Sequence, residues 1–270
     1  MASLRFGKPL GRRGWAIAAM VLMSGLGLLY TWNPQKIEFF PKDAPPSPRV
    51  TPEAIGLFRP GRRVAVVVAH PDDSEFYISG TLLRLKASGA KLLIVLTTDG
   101  GKAYYPPFTT DVEANRRVRR QEQLDAAKAY DADVTFLDEP DGRMVPDDRV
   151  QGKVREALRE FDPEIVLTFD GDYPPTVQHR DHRNSGIAAE AVVGGTSTKW
   201  LLRFGTRAPN LWVDTSDSWD RRSELLAVHK SQFFGSKLPR IREMVYSRAE
   251  ADGERGGFDL AEAFRATEVR

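Results

Sequence analysis

The chain contains four histidines, and three of them stand in two short clusters with carboxylates. One cluster is His-Pro-Asp-Asp at residues 70–73, and the other is His-Arg-Asp-His at residues 179–182. Imidazole and carboxylate groups are good ligands for Zn²⁺, and a catalytic zinc keeps three protein ligands and one position for water. Either cluster alone is a weak signal, but the two together predict a metal site.

Such a site supports hydrolysis. A divalent metal makes water a nucleophile near neutral pH and polarises the carbonyl that is attacked. A carboxylate that does not bind the metal must then accept the proton of the water. The adjacent Asp72 and Asp73 could supply one ligand and one base, and their spacing does not decide which is which.

Short apolar runs place these clusters in a fold. The runs at 64–69, 92–97, 134–137 and 165–169 alternate with helical patterns, which span residues 76–88, 113–130 and 148–161. This alternation predicts an α/β domain with a Rossmann-like, mostly parallel sheet flanked by helices. Ligands bind beyond the carboxyl ends of the strands in such sheets, so both clusters should lie on one rim.

From Val64 to the C-terminus, the sequence resembles the PIG-L/LmbE family of zinc-dependent de-N-acetylases. The resemblance rests on short motifs in the order of the family: Ala69-His70-Pro71-Asp72-Asp73-Ser74-Glu75-Phe76, Gly80-Thr81-Leu82, Thr98-Asp99-Gly100, Arg119-x-x-Glu122, Asp141-Gly142, Asp162-Pro163-Glu164-Ile165-Val166, His179-Arg180-Asp181-His182, His229-Lys230-Ser231-Gln232 and Ala261-Glu262-Ala263-Phe264.

The resemblance implies a role for each of eight residues. Three would bind Zn²⁺ or another divalent metal: His70, Asp73 and His182. Asp72 would be the general base. His179 would stabilise the oxyanion or protonate the leaving amine, and Asp181 would orient its ring. Arg119 and Asp141 would contact sugar hydroxyls.

Simpler explanations exist for several of these motifs. Arg119 and Glu122 have the i, i+3 spacing of a solvated ion pair on a helix. Asp141-Gly142 is also a common turn sequence. His229 and Gln232 are expected to support the rim of the site rather than to contact metal.

Two positions depart from the family pattern. Arg180 replaces a proline, and Val177 stands where some members have a tyrosine, for which Tyr173 is a candidate substitute.

The N-terminus carries the positive charge of the chain. Residues 1–49 hold seven Lys/Arg and two Asp/Glu, whereas the remaining residues hold 32 and 35. Residues 1–13 are predicted to be a basic cytoplasmic segment, and residues 14–33 a transmembrane signal-anchor helix that leaves the catalytic domain outside the cytoplasm. A cleaved signal peptide is the alternative. Residues 34–60 are proline-rich and predicted to be a linker, and residues 61–270 the deacetylase domain.

Composition narrows the class of function. The chain has no cysteine, which excludes thiolate metal sites and disulfides. Its folded part is mildly acidic, which argues against nucleic-acid binding. We therefore expect a membrane-anchored hydrolase that deacetylates an N-acetylglucosamine-type sugar or glycoconjugate. The alternatives are an amidase acting on a non-sugar amide and an inactive carbohydrate-binding module.

Overall fold

The computed structural model describes residues 47–102, 111–172 and 179–270. Seven strands in this part of the chain form a sheet of order β3-β2-β1-β4-β5-β7-β6. The strands are β1 Arg63–Val68, β2 Lys91–Thr98, β3 Ala132–Glu139, β4 Ile165–Phe169, β5 Trp200–Phe204, β6 Leu211–Asp214 and β7 Ala261–Glu268. Strands β1 to β5 pair in parallel, and β7 pairs antiparallel with both β5 and β6.

Seven helices connect the described strands: α1 Asp73–Tyr77, α2 Ser79–Ala87, α3 Val112–Ala127, α4 Asp148–Phe161, α5 Arg180–Val193, α6 Trp219–Leu226 and α7 Lys237–Gly256. The predicted bounds of α4 and β4 are confirmed. The helix predicted at 76–88 is instead two helices, because the backbone of Ile78 leaves the helical region at φ −138°.

Both faces of the sheet are buried, as the continuous apolar runs predict. Val64, Val66 and Val68 of β1 pack on the face covered by α2 and α6. Ala65 and Val67 point to the opposite face and pack with apolar residues of α4 and α5. The mostly parallel sheet flanked by helices is therefore confirmed.

The order of the strands creates a crevice beside β1. The chain runs outward from β1 to β2 and β3 on one side and returns to β4 on the other. The loops after β1 and β4 therefore diverge at the switch point where doubly wound sheets bind ligands. Both histidine clusters follow these two strands.

The linker prediction needs a correction for residues 47–60. Ile55 and Leu57 are buried in the hydrophobic core. The Val50 amide donates to the carbonyl of Asn210, whose side chain donates to the carbonyl of Pro48. Apolar side chains within this proline-rich stretch attach it to the domain, which therefore begins before residue 61.

The predicted transmembrane helix at 14–33 lies outside the described residues, as do Tyr173 and Val177. Within the described part of the chain, no helix is both long and apolar enough to cross a bilayer.

Candidate active site

The loop after β1 holds its two aspartates in different ways. One oxygen of Asp73, Oδ2, accepts hydrogen bonds from the amides of Ala69 and His70, at 3.0 and 2.8 Å. Asp72 has a backbone φ of 110°, in the left-handed region that few non-glycine residues adopt. Its amide donates to the side chain of Gln123. These contacts fix the Asp73 carboxylate, whereas the Asp72 carboxylate lies 3.3 Å from the Arg119 guanidinium.

The second cluster is positioned by the close approach of α5 to β4. A Cβ atom on Gly186 would lie 2.2 Å from the carbonyl oxygen of Phe169, so this position requires glycine. One helical turn earlier, the ring of His182 stacks on the ring of Phe169, with centroids 4.2 Å apart. The packing of α5 therefore sets the position of His182 over the carboxyl end of β4.

Three predicted ligands converge between these loops. His182 Nε2 lies 3.0 Å from Asp73 Oδ1 and 3.2 Å from His70 Nδ1, and His70 Nδ1 lies 3.7 Å from the Asp73 carboxylate. Donor atoms around a tetrahedral zinc are about 3.3–3.6 Å apart, as follows from bonds of about 2.0–2.2 Å. Two of the distances are slightly shorter and one is slightly longer than this range, so the three groups are candidate ligands for one divalent metal ion. The amides of Ala69 and His70 occupy Asp73 Oδ2, which leaves Oδ1 for the ion.

His70 has carboxylates on its far side as well. Its Nε2 lies 3.2 Å from Asp141 Oδ1 and 3.5 Å from Asp181 Oδ2. Histidine ligands of metals commonly direct their second nitrogen at a carboxylate, which fixes the tautomer and the ring orientation. Asp141 and Asp181 therefore contact the second ring nitrogen of His70, and the sequence did not reveal these contacts.

The charges of this cluster shift its pKa values. Burial opposes ionisation of Asp73, but His182 and His70 outweigh it and hold the pKa of Asp73 well below its usual value. Burial likewise opposes ionisation of Asp141, and His70 overcomes it and lowers the pKa of Asp141 to about 2. Both carboxylates are therefore ionised at neutral pH.

Asp72 is less well stabilised as an anion. Burial raises the pKa of Asp72, with a further contribution from the charge of Asp73, while the Arg119 guanidinium at 3.3 Å opposes the shift. Its side chain is 16% exposed and borders a cavity of about 230 Å³. A carboxylate with a raised pKa beside a cavity has the properties of a general base.

Arg119 is buried and does not form the expected alternative pair with Glu122. It donates to the carbonyls of Gly100 and Pro71, at 2.7 and 2.6 Å, and Glu122 accepts from the amide and hydroxyl of Ser231. One edge of Arg119 still borders the cavity, as does Asp141. Arg119 thus connects the loops after β1 and β2 beneath Asp72.

The expected contact between Asp181 and His179 takes a different form. His179 is the N-cap of α5, and its Nδ1 accepts a hydrogen bond from the backbone amide of Asp181. The Asp181 carboxylate instead accepts from the Gly142 amide and faces His70. Burial, together with the charges of His70 and His182, lowers the pKa of His179. The ring is thus neutral at pH 7, with its proton on Nε2.

Aromatic residues form part of the cavity wall. Phe76, Tyr77 and Phe233 border the cavity together with Gln232. Aromatic residues in α1 carry no motif that separates a cavity wall from an ordinary core. His229 is fully buried and bonds Glu75 Oε2 at 2.8 Å, which places it below the rim and away from the three converging ligands.

The sequence and the fold of this chain are similar to those of known proteins. The sequence model of the PIG-L family, described as GlcNAc-PI de-N-acetylase, matches residues 65–193, which include all eight predicted site residues. Over these residues the chain is similar to the PIG-L/LmbE family. Diacetylchitobiose deacetylase of Thermococcus kodakarensis is 26% identical over 193 residues, which cover 65% of this chain and 72% of the relative.

Two further proteins are similar to this chain, one in sequence and one in fold. Mycothiol S-conjugate amidase of Streptomyces coelicolor is 29% identical over 191 residues, covering 61% of this chain and 64% of the amidase. The structure of N,N'-diacetylchitobiose deacetylase from Pyrococcus horikoshii has the same fold, with a TM-score of 0.71 and 23% identity over 76% of this chain and 84% of that one. The named relatives are thus deacetylases and an amidase.

Proposed function

We propose that this protein is a metal-dependent hydrolase that removes the acetyl group from an N-acetylglucosamine-type sugar or glycoconjugate. The observation that carries the proposal is the convergence of His70 Nδ1, Asp73 Oδ1 and His182 Nε2 beside an Asp72 carboxylate that borders the cavity. The family relatives support the acetylated-amide substrate class.

His70, Asp73 and His182 would hold the ion. A divalent metal such as Zn²⁺ supplies a Lewis acid that makes water nucleophilic and polarises the amide carbonyl. The remaining roles belong to side chains around these ligands.

Asp72 accepts the proton of the attacking water. Its carboxylate is turned into the cavity by its left-handed backbone and is held by Arg119 at 3.3 Å. The raised pKa strengthens it as a base, and the same carboxyl group can then deliver the proton to the leaving amine.

His179 donates from Nε2 to the oxygen that gains negative charge as the carbonyl is attacked. Its Nδ1 is occupied by the Asp181 amide, so the proton on Nε2 is held in place before the reaction begins. A donor that is oriented in advance stabilises an oxyanion more than water does. The lowered pKa of His179 favours this role over that of a cationic acid.

A second candidate function is an amidase that acts on a thiol conjugate with the same side chains, which the similarity to mycothiol S-conjugate amidase favours. Acetate release from N-acetylglucosamine compounds and amide cleavage of thiol conjugates distinguish the two.

The test combines metal content with product release. The purified protein should hold about one divalent ion per chain and lose activity on chelation. His182→Gln should lose both metal and activity. His179→Gln, its neighbour on the same rim, should keep the metal and lose activity only. Full activity of the metal-free protein would contradict the proposal.

A further inference from the structure

A second cavity, of about 240 Å³, lies between α7 and β7. Tyr77 borders both this cavity and the catalytic one, and its ring makes an edge contact with that of His182. The second cavity is lined by residues that come mostly after residue 193, where the match to the family model ends. Its charged lining residues are Arg222, Arg248, Asp252 and Glu262.

Both acidic residues in this lining have cationic partners. Glu262 Oε1 lies 3.0 Å from Arg222 Nη2, and both side chains are buried. The Glu262 carboxylate also accepts hydrogen bonds from two backbone amides of α2. Asp252 lies 3.7 Å from Arg255 on the same helix. Arg222 and Glu262 therefore form one buried pair, and Asp252 interacts with the charges of both Arg255 and Arg248.

Arg248 is the second cation of this lining, and it interacts with Asp252 and Glu262 through their charges only. Its guanidinium donates to the carbonyl of Phe76 and lies over the rings of Phe76 and Tyr77, 4.9 and 4.5 Å from their centroids. Within residues 47–102, 111–172 and 179–270, no carboxylate lies within 4 Å of it. Burial lowers the pKa of Arg248. A guanidinium has five N–H donors, so most of its hydrogen-bonding capacity remains for a ligand.

We propose that this cavity is an anion-binding subsite that takes a carboxylate group, with Arg248 as its main contact. The planar fork of a guanidinium matches the two oxygens of a carboxylate. The rings of Phe76 and Tyr77 lie against a face of the guanidinium, so the N–H groups on its edge are left for the ligand. The ligand would be either a free monocarboxylate such as acetate or a carboxylate carried on a sugar.

The experiment is calorimetric titration of the full chain with acetate and, separately, with glucuronate. At least one of them should bind, and Arg248→Met should weaken that binding about tenfold or more, the usual worth of a charge-assisted hydrogen bond. Arg240→Met removes the same charge from an exposed position of α7 and should leave binding unchanged. Binding of acetate identifies a free monocarboxylate as the ligand, and binding of glucuronate alone identifies the sugar-borne group.

Two further variants separate this proposal from the catalytic one. His182→Gln should leave the Arg248-dependent binding intact, since the cavity does not use the metal ligands. Asp252→Asn removes negative charge from the lining and should tighten binding, which provides a test even if Arg248→Met unfolds. Binding that is equal in Arg248→Met and Arg240→Met, or that Asp252→Asn does not tighten, overturns the proposal, as does the absence of binding by both ligands.

Discussion

At the scale of single residues, adjacent aspartates have different surroundings. Asp73 accepts two backbone hydrogen bonds and lies close to two histidines, whereas Asp72 has a φ of 110° and lies 3.3 Å from Arg119. A non-glycine residue in the left-handed region costs about 1–3 kcal/mol, which the surrounding structure must offset. Such strain is typical of functional sites. It supports a catalytic Asp72 and a ligating Asp73.

Substitution of Asp72 and substitution of Asp73 should therefore impair different properties of the enzyme. Asp72→Asn cannot accept a proton, so the rate should fall by roughly 10²–10⁴, the usual contribution of general base catalysis, while metal content is kept. Asp73→Asn replaces an anionic ligand by a neutral one and should lose metal first, with partial rescue by added zinc. Metal analysis and turnover measured on the same samples test this. The roles are reversed if Asp72→Asn loses the ion and Asp73→Asn keeps it.

Asp181 gives a second prediction at this scale. Its carboxylate faces His70 Nε2 and not His179, so Asp181→Asn should weaken metal binding about 10–100-fold, as expected when the partner of a histidine ligand is removed. A competition titration with a chelating dye measures the affinity. Unchanged affinity combined with a lower rate would assign Asp181 to His179 instead.

At the scale of elements, the contact between α5 and β4 positions His182. Its tightest point is Gly186, where a Cβ atom would meet the carbonyl oxygen of Phe169. Any side chain there must push the helix away from the strand. The ring that His182 stacks on belongs to the same strand, so the ligand would move with the helix.

Gly186→Ala should therefore destabilise the fold by about 1–3 kcal/mol, the usual cost of overpacking, and weaken metal binding. Gly152→Ala in α4 is the matched control, because its Cβ would meet no atom within 4 Å. That control should be neutral or stabilising by up to about 1 kcal/mol. Urea unfolding midpoints of the two variants test the pair. Equal stability of both variants would mean that α5 can move freely.

The ion pair between Asp170, which directly follows β4, and Arg265 of the antiparallel strand β7 gives a pH-dependent prediction. Burial opposes ionisation of Asp170, but hydrogen bonds from Arg265 and Thr206 outweigh it and lower the pKa of Asp170. This depressed pKa stabilises the fold above the unfolded value of about 3.9, and the stabilisation is lost as pH falls through the lower folded pKa.

Asp170→Asn should therefore lower the free energy of unfolding at pH 7 and flatten its decline in acid. Asp172→Asn is the control, since Asp172 also lies 2.8 Å from Arg265 but is 78% exposed. Denaturant unfolding between about pH 2.5 and pH 7 measures both variants. Parallel stability curves for the wild type and Asp170→Asn would contradict the assignment.

At the scale of the whole molecule, the basic N-terminus and the apolar segment at 14–33 predict a signal anchor. A reporter that works only in the cytoplasm should be silent when fused after Arg270 and active when fused before Met1. The physical reason is that basic residues before the helix are retained on the cytoplasmic side. An active C-terminal reporter would reverse the predicted orientation, and a shortened mature chain would favour the cleaved signal peptide.

Local pattern was sufficient for much of the fold. The bounds of β4 and α4 follow from apolar periodicity, since each residue's burial depends on its position along one element. The antiparallel strands β6 and β7 were not predicted, and Ile78 interrupts a pattern that reads as one helix. β7 pairs with β5, whose residues are distant in sequence, so the periodicity of apolar residues within one strand does not predict this pairing.

By itself, the sequence determined which side chains could bind metal and that they follow strands β1 and β4, because residue type and strand order are written along the chain. Only the tertiary structure decided which residues contact these side chains. It placed Asp141 and Asp181 behind His70, Arg119 beneath Asp72, and Arg248 beside a cavity of its own. These contacts join residues far apart in sequence, and their geometry is set by the packing of helices on the sheet rather than by spacing along the chain.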